Sequence, residues 1–172
     1  MRAWLALALM LPLAAAQAQG FDSRREGREG GSEAKVLLPQ YPKPENYLPF
    51  EVSATTPFQF FVDAKSLSVG QDGVVRYTLI AKSTDGALNV SFEGMRCSDA
   101  KFRVYALGGT DNSWIEVRDS KWLPIRADLR NGQRTELFNY YFCPTSGNIT
   151  TADEGVRALR NGGNPRARIQ GY

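Results

Sequence analysis

The sequence predicts a mainly β protein with one C-terminal helix, an α+β domain built on a small antiparallel sheet that is sandwich-like or a half-barrel. Short runs of alternating apolar and polar residues recur along the chain, and turn signals separate them. A helix-capping pattern occurs near the C-terminus. The 172 residues are 42% hydrophobic and 23% charged, which is the composition of an ordinary globular domain.

The first 18 residues have the three-part pattern of a secretory signal peptide. Met1-Arg2 is followed by an apolar run to Ala16, and Ala16 and Ala18 form a small-x-small cleavage site. The run is shorter than the roughly 20 residues needed to span a bilayer, which favours a cleaved peptide over an uncleaved anchor. Removing these 18 of 172 residues leaves 154 and takes away Arg2, so the net charge falls from +3 to +2. We therefore expect a periplasmic or envelope protein without a nucleic-acid partner.

Two segments precede the predicted domain. Residues 19–38 are polar and carry alternating charges without an apolar period, which predicts a disordered arm. Residues 39–57 contain five prolines, which disfavour a helix and a central strand and predict an extended strap. Tyr41, Tyr47 and Phe50 lie between these prolines and are candidate contact residues for a binding partner.

The β-domain is expected over residues 58–165. Val74–Ala81 alternates, with Val75, Tyr77 and Leu79 on one face, and Thr84-Asp85-Gly86 supplies a hairpin turn before the next run. Consecutive strands joined by short turns indicate antiparallel pairing. The predicted strands are Phe58–Val62, Val74–Ala81, Leu88–Cys97, Phe102–Leu107, Trp114–Val117 and Glu136–Cys143.

One helix is expected at about residues 151–161. Thr151 and Glu154 have the spacing of a capping box, and Gly162-Gly163 provides a stop signal. Residues 166–172 form a basic tail.

The chain contains two cysteines, Cys97 and Cys143. In an oxidising compartment an even count indicates a disulfide, here with a single intramolecular pairing. Closing a loop of about 47 residues stabilises a fold by roughly 4 kcal/mol. The alternative, a redox-active pair, usually requires closely spaced cysteines such as Cys-x-x-Cys, so a structural bridge is favoured.

The sequence contains no histidine, which excludes Ser-His-Asp and Cys-His catalysis and imidazole metal ligands. We expect no metal and no cofactor. Ser-x-x-Lys occurs at residues 32–35 and 98–101, without the partner motifs of serine acyl enzymes. The carboxylates are scattered, so a glycosidase-type pair stays an alternative that the sequence does not locate.

Three arginines recur at every fourth position, at Arg126, Arg130 and Arg134. Asn131-Gly132 indicates a turn among them, which predicts a solvated loop rather than a helical basic stripe. The alternative is an anion site, so these arginines are further candidate contact residues.

Several short motifs resemble the cryptic neisserial protein family over about residues 40–165. They are Pro44-Glu45-Asn46-Tyr47-Leu48-Pro49-Phe50, Phe92-Glu93-Gly94-Met95-Arg96-Cys97 and Tyr141-Phe142-Cys143-Pro144. The resemblance implies a small exported envelope protein of Gram-negative bacteria and brings no catalytic residues. The chain is also similar, more loosely, to surface-adhesin protein E, which implies a small antiparallel β-domain with the two cysteines bridged.

These observations together predict an exported, non-enzymatic protein of the periplasm or envelope that binds an envelope protein or a cell-wall component. Two alternatives stay open at this level. One is a cell-wall glycan hydrolase that uses a carboxylate pair. The other is a small-molecule carrier with an apolar cavity inside the β-domain.

Overall fold

The computed structural model describes residues 33–52, 56–126, 132–145 and 147–167, which belong to one compact unit. Eight antiparallel strands form an open sheet in the order β1-β2-β4-β5-β6-β7, with β3 paired to β4 and β8 paired to β6. The mainly β prediction with a C-terminal helix is confirmed. The strands are β1 Tyr47–Phe50, β2 Gln59–Asp63, β3 Ser68–Val69, β4 Val74–Lys82, β5 Leu88–Arg96, β6 Lys101–Gly108, β7 Trp114–Glu116 and β8 Leu123–Pro124.

The β4–β5 hairpin is the centre of the sheet. Its register runs from Val74 opposite Arg96 to Lys82 opposite Leu88. Gly86 adopts a φ of 89° in the connecting turn, a conformation that glycine reaches without steric cost. All residues from Val74 to Ile80 are buried, so this strand is covered on both faces.

Helical segments cover one face of the sheet. α1 spans Gly132–Glu136 and continues as a π-helix over Leu137–Phe142, and α2 spans Ala152–Arg160. The prediction of a strand over Glu136–Cys143 is therefore wrong. Leu137, Tyr141 and Phe142 are the buried residues of the π-helix, which is helical spacing rather than the alternation of a strand. The high β-propensity of the aromatic residues is overridden by this packing.

The main apolar core lies between the helical segments and this face of the sheet. Val75, Tyr77 and Leu79 of β4 point toward the helices and are at most 4% exposed. Each such side chain contributes about 1.5–3 kcal/mol by leaving water. Their partners from other elements include Val62, Met95, Leu137, Phe142, Ile149 and Leu159.

The opposite face is covered by residues 33–46, which we call the crossing segment. Val36 packs in a smaller apolar cluster with Phe92, Tyr105 and Ala106. Trp114 Nε1 donates a hydrogen bond to the Pro39 carbonyl over 2.9 Å. The segment then continues into β1, which pairs with β2 at the other side of the sheet. It therefore reaches across the face that the helices leave uncovered.

Two predicted local features are present. Cys97 and Cys143 form a disulfide with a Cα–Cα distance of 5.4 Å, which confirms the predicted bridge. Thr151 Oγ accepts a hydrogen bond from the Glu154 backbone amide at the start of α2. The predicted C-terminal helix is thus confirmed to within one residue at each end.

Candidate functional site

The candidate site is a pocket of about 470 Å³ between the crossing segment and the end of β2. We call it the Asp63 pocket after its most buried acidic residue, which is 2% exposed. The pocket is lined mainly by polar and charged side chains. The lining residues are Pro39, Gln40, Tyr41, Lys43, Glu45, Asn46, Asp63, Lys65 and Ser66.

Local sequence explains why Asp63 sits at this position. β2 ends at Asp63, and the chain turns there because the Ser66 amide donates to the Asp63 carbonyl over 3.2 Å. The Ser66 hydroxyl also donates to that carbonyl and accepts a hydrogen bond from the Thr78 amide, both over 2.9 Å. Asp and Ser stabilise such turns through short-range hydrogen bonds. The turn therefore fixes the backbone of Asp63 and joins it to β4 through Ser66.

Two buried side-chain oxygen atoms, one at the end of β2 and one in β4, have no hydrogen-bond partner. They are Asp63 Oδ1 and Thr78 Oγ1. Val62 lies opposite Leu79 in the β2–β4 register, which makes Asp63 and Thr78 the next neighbours on the face that the crossing segment covers. Leaving a buried polar atom unpaired costs about 1–3 kcal/mol. Native structures contain few such atoms, and each one requires a physical or functional reason.

Burial dominates the electrostatics of Asp63 and raises the pKa of its carboxyl group. The polar groups nearby, namely the Ser66 hydroxyl and the Lys65 and Ser66 amides, and the charge of Lys65 oppose this shift without cancelling it. The neighbouring Tyr47 phenol also has a raised pKa, first because of burial and then because of nearby groups that include Asp63 and Glu45. The pocket therefore holds a carboxylate that its own surroundings only partly stabilise.

A second polar cluster fastens the start of the crossing segment. Arg103 Nη1 donates to Glu33 Oε2 over 2.8 Å, and the Tyr105 hydroxyl donates to Glu33 Oε1. Arg76 Nη2 lies 3.6 Å from the same carboxylate and 2.6 Å from Asp72 Oδ2. Glu33 falls inside the segment predicted as a disordered arm, and these contacts hold it on β4 and β6. The extent of the arm as a whole stays a prediction.

The predicted aromatic contact residues have different environments. Tyr41 lines the Asp63 pocket, and its ring centroid lies 5.2 Å from that of Trp114. Tyr47 is half-buried and packs against Phe61. Phe50 is 6% exposed and belongs to the main core, so its side chain anchors β1 instead of facing a partner. Of the three, Tyr41 and Tyr47 stay candidates for contact.

The arginines of the predicted loop also differ in their environments. Arg126 is exposed, whereas Arg130 lies outside the described residues, as do Ala16 and Ala18 of the predicted cleavage site. Arg134 belongs to α1, and its side chain is 14% exposed. It is therefore a partner of the buried sheet face and not part of a solvated loop.

Arg134 forms a buried ion pair with Glu93 of β5, which is 0% exposed. Arg134 Nε and Nη2 donate to the two Glu93 oxygens over 2.8 and 2.6 Å. Tyr77 and Ser91 hydroxyls donate to the same carboxylate over 3.3 and 2.7 Å. The guanidinium also stacks on Phe102, 4.2 Å from the ring centroid. This cluster is well paired, so we assign it to holding α1 on the sheet.

In the part of the chain that the structure describes, no three Asp, Glu or Cys side chains converge as a metal-ligand group. Among the same residues, no helix is long and apolar enough to cross a membrane.

Sequence reasoning missed Asp63, Ser66 and Thr78. An Asp directly after an apolar run and three residues before a Ser indicates a turn, and this signal is present at Asp63. Thr78 lies in a clear strand pattern, where a β-branched residue needs no special reason. That both residues have an unpaired oxygen on one face follows only from the β2–β4 register.

Comparison with known proteins places the chain in a family. The sequence profile of the CNP1-like family matches residues 28–160. The Cryptic neisserial protein 1 of Neisseria gonorrhoeae is 27% identical over 110 residues, a match that covers 57% of this chain and 53% of that relative. The chain thus spans about half the length of the curated relative it matches. No solved structure matches it. Because the profile covers well over half of the sequence, the resemblance is confirmed, and the chain belongs to the CNP1-like family.

Proposed function

We propose that this protein is an exported, non-enzymatic envelope protein that binds a ligand or partner in the Asp63 pocket. The observation that carries the proposal is the unpaired, buried oxygen of Asp63 in a polar pocket of about 470 Å³. Asp63 lines this pocket together with other polar and charged residues, and binding sites commonly place a few polar groups where a ligand completes their hydrogen bonds.

Export is supported by two features of the chain. The first 18 residues have the pattern of a secretory signal peptide. The Cys97–Cys143 disulfide suits an oxidising compartment such as the periplasm. Periplasmic or envelope localisation is accordingly part of the proposal.

The rim of the pocket gives a ligand or partner access. Gln40, Lys43, Glu45 and Lys65 are exposed lining residues. Tyr41 adds a half-buried aromatic ring, a residue type that is enriched at binding interfaces. The pocket is polar, so it favours a partner with hydrogen-bonding groups over the apolar cargo of a hydrophobic carrier.

Site-specific photocrosslinking in intact cells of the native host tests the proposal. A photoreactive residue replaces exposed Gln40 at the pocket, and a matched control replaces exposed Arg160 on α2. We expect an adduct from position 40 that is absent from position 160 and that Asp63→Asn reduces several-fold. Adducts of equal yield at both positions, or an adduct that Asp63→Asn leaves unchanged, contradict the proposal.

A glycan hydrolase is the second candidate, because Glu45 and Asp63 line the same pocket. The raised pKa of Asp63 is a property of general acids in glycosidases. The 2% exposure of Asp63 argues against it, since a general acid must reach the glycosidic oxygen. Release of soluble fragments from purified peptidoglycan, lost in both Glu45→Gln and Asp63→Asn, would favour the hydrolase over the binding protein.

A further inference from the structure

We propose that Arg76, Arg103 and Tyr105 form a second binding site, which recognises a Glu or Asp side chain in an extended segment of a partner protein. We call it the Arg103 site. In the structure the protein's own Glu33 occupies this site, and the partner segment replaces it on binding. The inference goes beyond the function proposed for the Asp63 pocket and does not depend on it.

The present occupant defines the chemistry of the Arg103 site. Arg103 Nη1 donates to Glu33 Oε2 over 2.8 Å, and the Tyr105 hydroxyl donates to Oε1 of the same side chain. Arg76 Nη2 lies 3.6 Å from that Oε1 atom and 2.6 Å from Asp72 Oδ2. In the described part of the chain, Arg103 forms its ion pair with Glu33, so departure of Glu33 leaves a positive charge there. Because guanidinium groups suit carboxylates in charge and in donor geometry, another carboxylate fits the vacated site.

The sheet holds the residues of the site in place independently of Glu33. Gly94 of β5 lies between Arg76 of β4 and Arg103 of β6 in the register, so the two arginines flank a position without a side chain. A Cβ at Gly94 would overlap the Tyr105 ring. The guanidinium carbons of Arg76 and Arg103 lie 5.9 and 5.6 Å from the centroid of this ring. Arg76 is 6% exposed and donates to both oxygens of Asp72. A site preorganised in this way loses little conformational freedom when a ligand binds.

A β-bulge adds an apolar surface to the site. The β5–β6 register shifts between Phe92 and Glu93, which leaves Tyr105 as the extra residue of β6. Tyr105 and the following Ala106 both pack in one cluster with Phe92, and Val36 of the crossing segment contacts this cluster. Bulges re-aim side chains and are common beside functional sites. The ligand that fits is therefore an extended chain with an acidic residue three positions before an aliphatic one, as in the pair Glu33 and Val36.

The segment that now fills the site is weakly held. Residues 33–39 form no strand, none of them is buried, and four of the seven are exposed. Besides the contacts of Glu33 and Val36, the structure shows one hydrogen bond near each end of this segment, to Asp72 and from Trp114, both over 2.9 Å. Segments with so few buried contacts open at a lower free energy than the whole domain unfolds. A competing segment can therefore take their place.

The site is reached from solvent while the segment is in place. A groove of about 400 Å³ runs beside residues 33–38 and is lined by Arg103, Tyr105 and Ser120 among others. The Arg103 side chain is 30% exposed. A partner carboxylate can thus contact Arg103 before Glu33 leaves, which gives the exchange a route.

The test is a fluorescence-anisotropy titration of a labelled, end-capped peptide with the sequence of residues 31–40, at pH 7. The matched control peptide carries Gln in place of Glu33. The proteins are the mature, disulfide-intact wild-type chain and its Glu33→Ala variant. Arg103→Gln and Tyr105→Phe are added to the Glu33→Ala chain to impair the site, and Arg160→Gln on exposed α2 is the control substitution.

We expect the peptide to bind the Glu33→Ala chain at least about tenfold more tightly than wild type, where Glu33 competes from within the same chain. The control peptide should bind at least about tenfold more weakly, the scale of one charged hydrogen bond. Arg103→Gln should weaken binding by a similar factor and Tyr105→Phe by a smaller one. Arg160→Gln should leave the affinity unchanged.

Four results overturn the inference. They are the absence of saturable binding to the Glu33→Ala chain, equal affinity of wild type and Glu33→Ala, equal affinity of the two peptides, and unchanged binding in the variants of the site. Tyr105→Phe keeps the test decisive if Arg103→Gln fails to fold, because it removes one hydroxyl and retains the ring. Sedimentation velocity should show a wild-type monomer. A wild-type dimer that Arg103→Gln dissociates would assign the site to a second copy of the chain and reject the partner protein.

Discussion

The buried pair of Glu93 and Arg134 gives a quantitative prediction for Arg134→Met. Methionine keeps much of the length and apolar volume of the arginine side chain but removes its charge. Glu93 is 0% exposed, so the substitution leaves a carboxylate away from water without its cation. We therefore expect a large loss in the free energy of unfolding.

The magnitude follows from the hydrogen bonds that are lost and kept. Removing one partner of a buried ion pair destabilises a protein by about 3–5 kcal/mol. The Tyr77 and Ser91 hydroxyls still donate to Glu93 in the variant, which favours the lower end of this range. A loss of about 3 kcal/mol lowers the Tm of a domain of this size by roughly 10 °C.

Urea unfolding of the disulfide-intact protein, followed by circular dichroism, measures this loss. Arg126→Met is the matched control: its side chain is exposed, and we expect a change within about 0.5 kcal/mol. In a Glu93→Gln background, the loss in the free energy of unfolding caused by Arg134→Met should fall to about 1 kcal/mol, because no buried carboxylate is left without its cation. Equal effects of Arg134→Met and Arg126→Met, or additive effects in the double variant, would refute the reasoning.

Three further predictions concern other parts of the fold. The hydrogen-bonded Arg76 guanidinium holds the pKa of Asp72 at about 2, below its usual 3.8. Asp72→Asn should therefore cost about 2 kcal/mol above pH 4, and the difference from wild type should fall to about 0.4 kcal/mol at pH 2, where the folded carboxyl group is half protonated; a difference that stays near 2 kcal/mol in urea melts at pH 2 contradicts this. Replacing Cys97 and Cys143 by serine should lower the free energy of unfolding by about 4 kcal/mol, and a loss below 1 kcal/mol would mean that the bridge does not constrain the unfolded chain. Gly94→Ala should cost about 1–3 kcal/mol, since its Cβ would overlap the Tyr105 hydroxyl oxygen, and unchanged stability would show that this oxygen moves freely.

The sequence predicts best where local and long-range signals agree. The alternation of Val74–Ala81, the Asp85-Gly86 turn and the returning run define the central hairpin without reference to the rest of the chain. The capping pattern at Thr151 and Glu154 is equally local. The pairing of Cys97 with Cys143 needs only the cysteine count and an oxidising compartment.

Prediction fails where tertiary packing decides between two local options. The segment Leu137–Phe142 is rich in aromatic residues, whose high β-propensity predicts a strand. In the structure, Leu137, Tyr141 and Phe142 are instead buried together on one side of a helical segment. The sequence predicts a solvated loop at Arg134, because the local signal is a charge repeat near a turn. Its partner Glu93 is 41 residues away in sequence, so local spacing does not identify the pair.

The Asp63 pocket is a different case, because the local sequence signals at its residues agree with the secondary structure that they adopt. Asp63 ends a strand and starts a turn, and Thr78 lies in a strand, so each residue suits its local structure. The conflict arises only on folding, when both residues are buried with an oxygen unpaired, which costs each of them about 1–3 kcal/mol. The fold removes the same kind of cost elsewhere, since Glu93, also fully buried, is paired with Arg134 and two hydroxyls. The contrast between the fully paired Glu93 and the incompletely paired Asp63 beside a pocket supports the binding function proposed for that pocket.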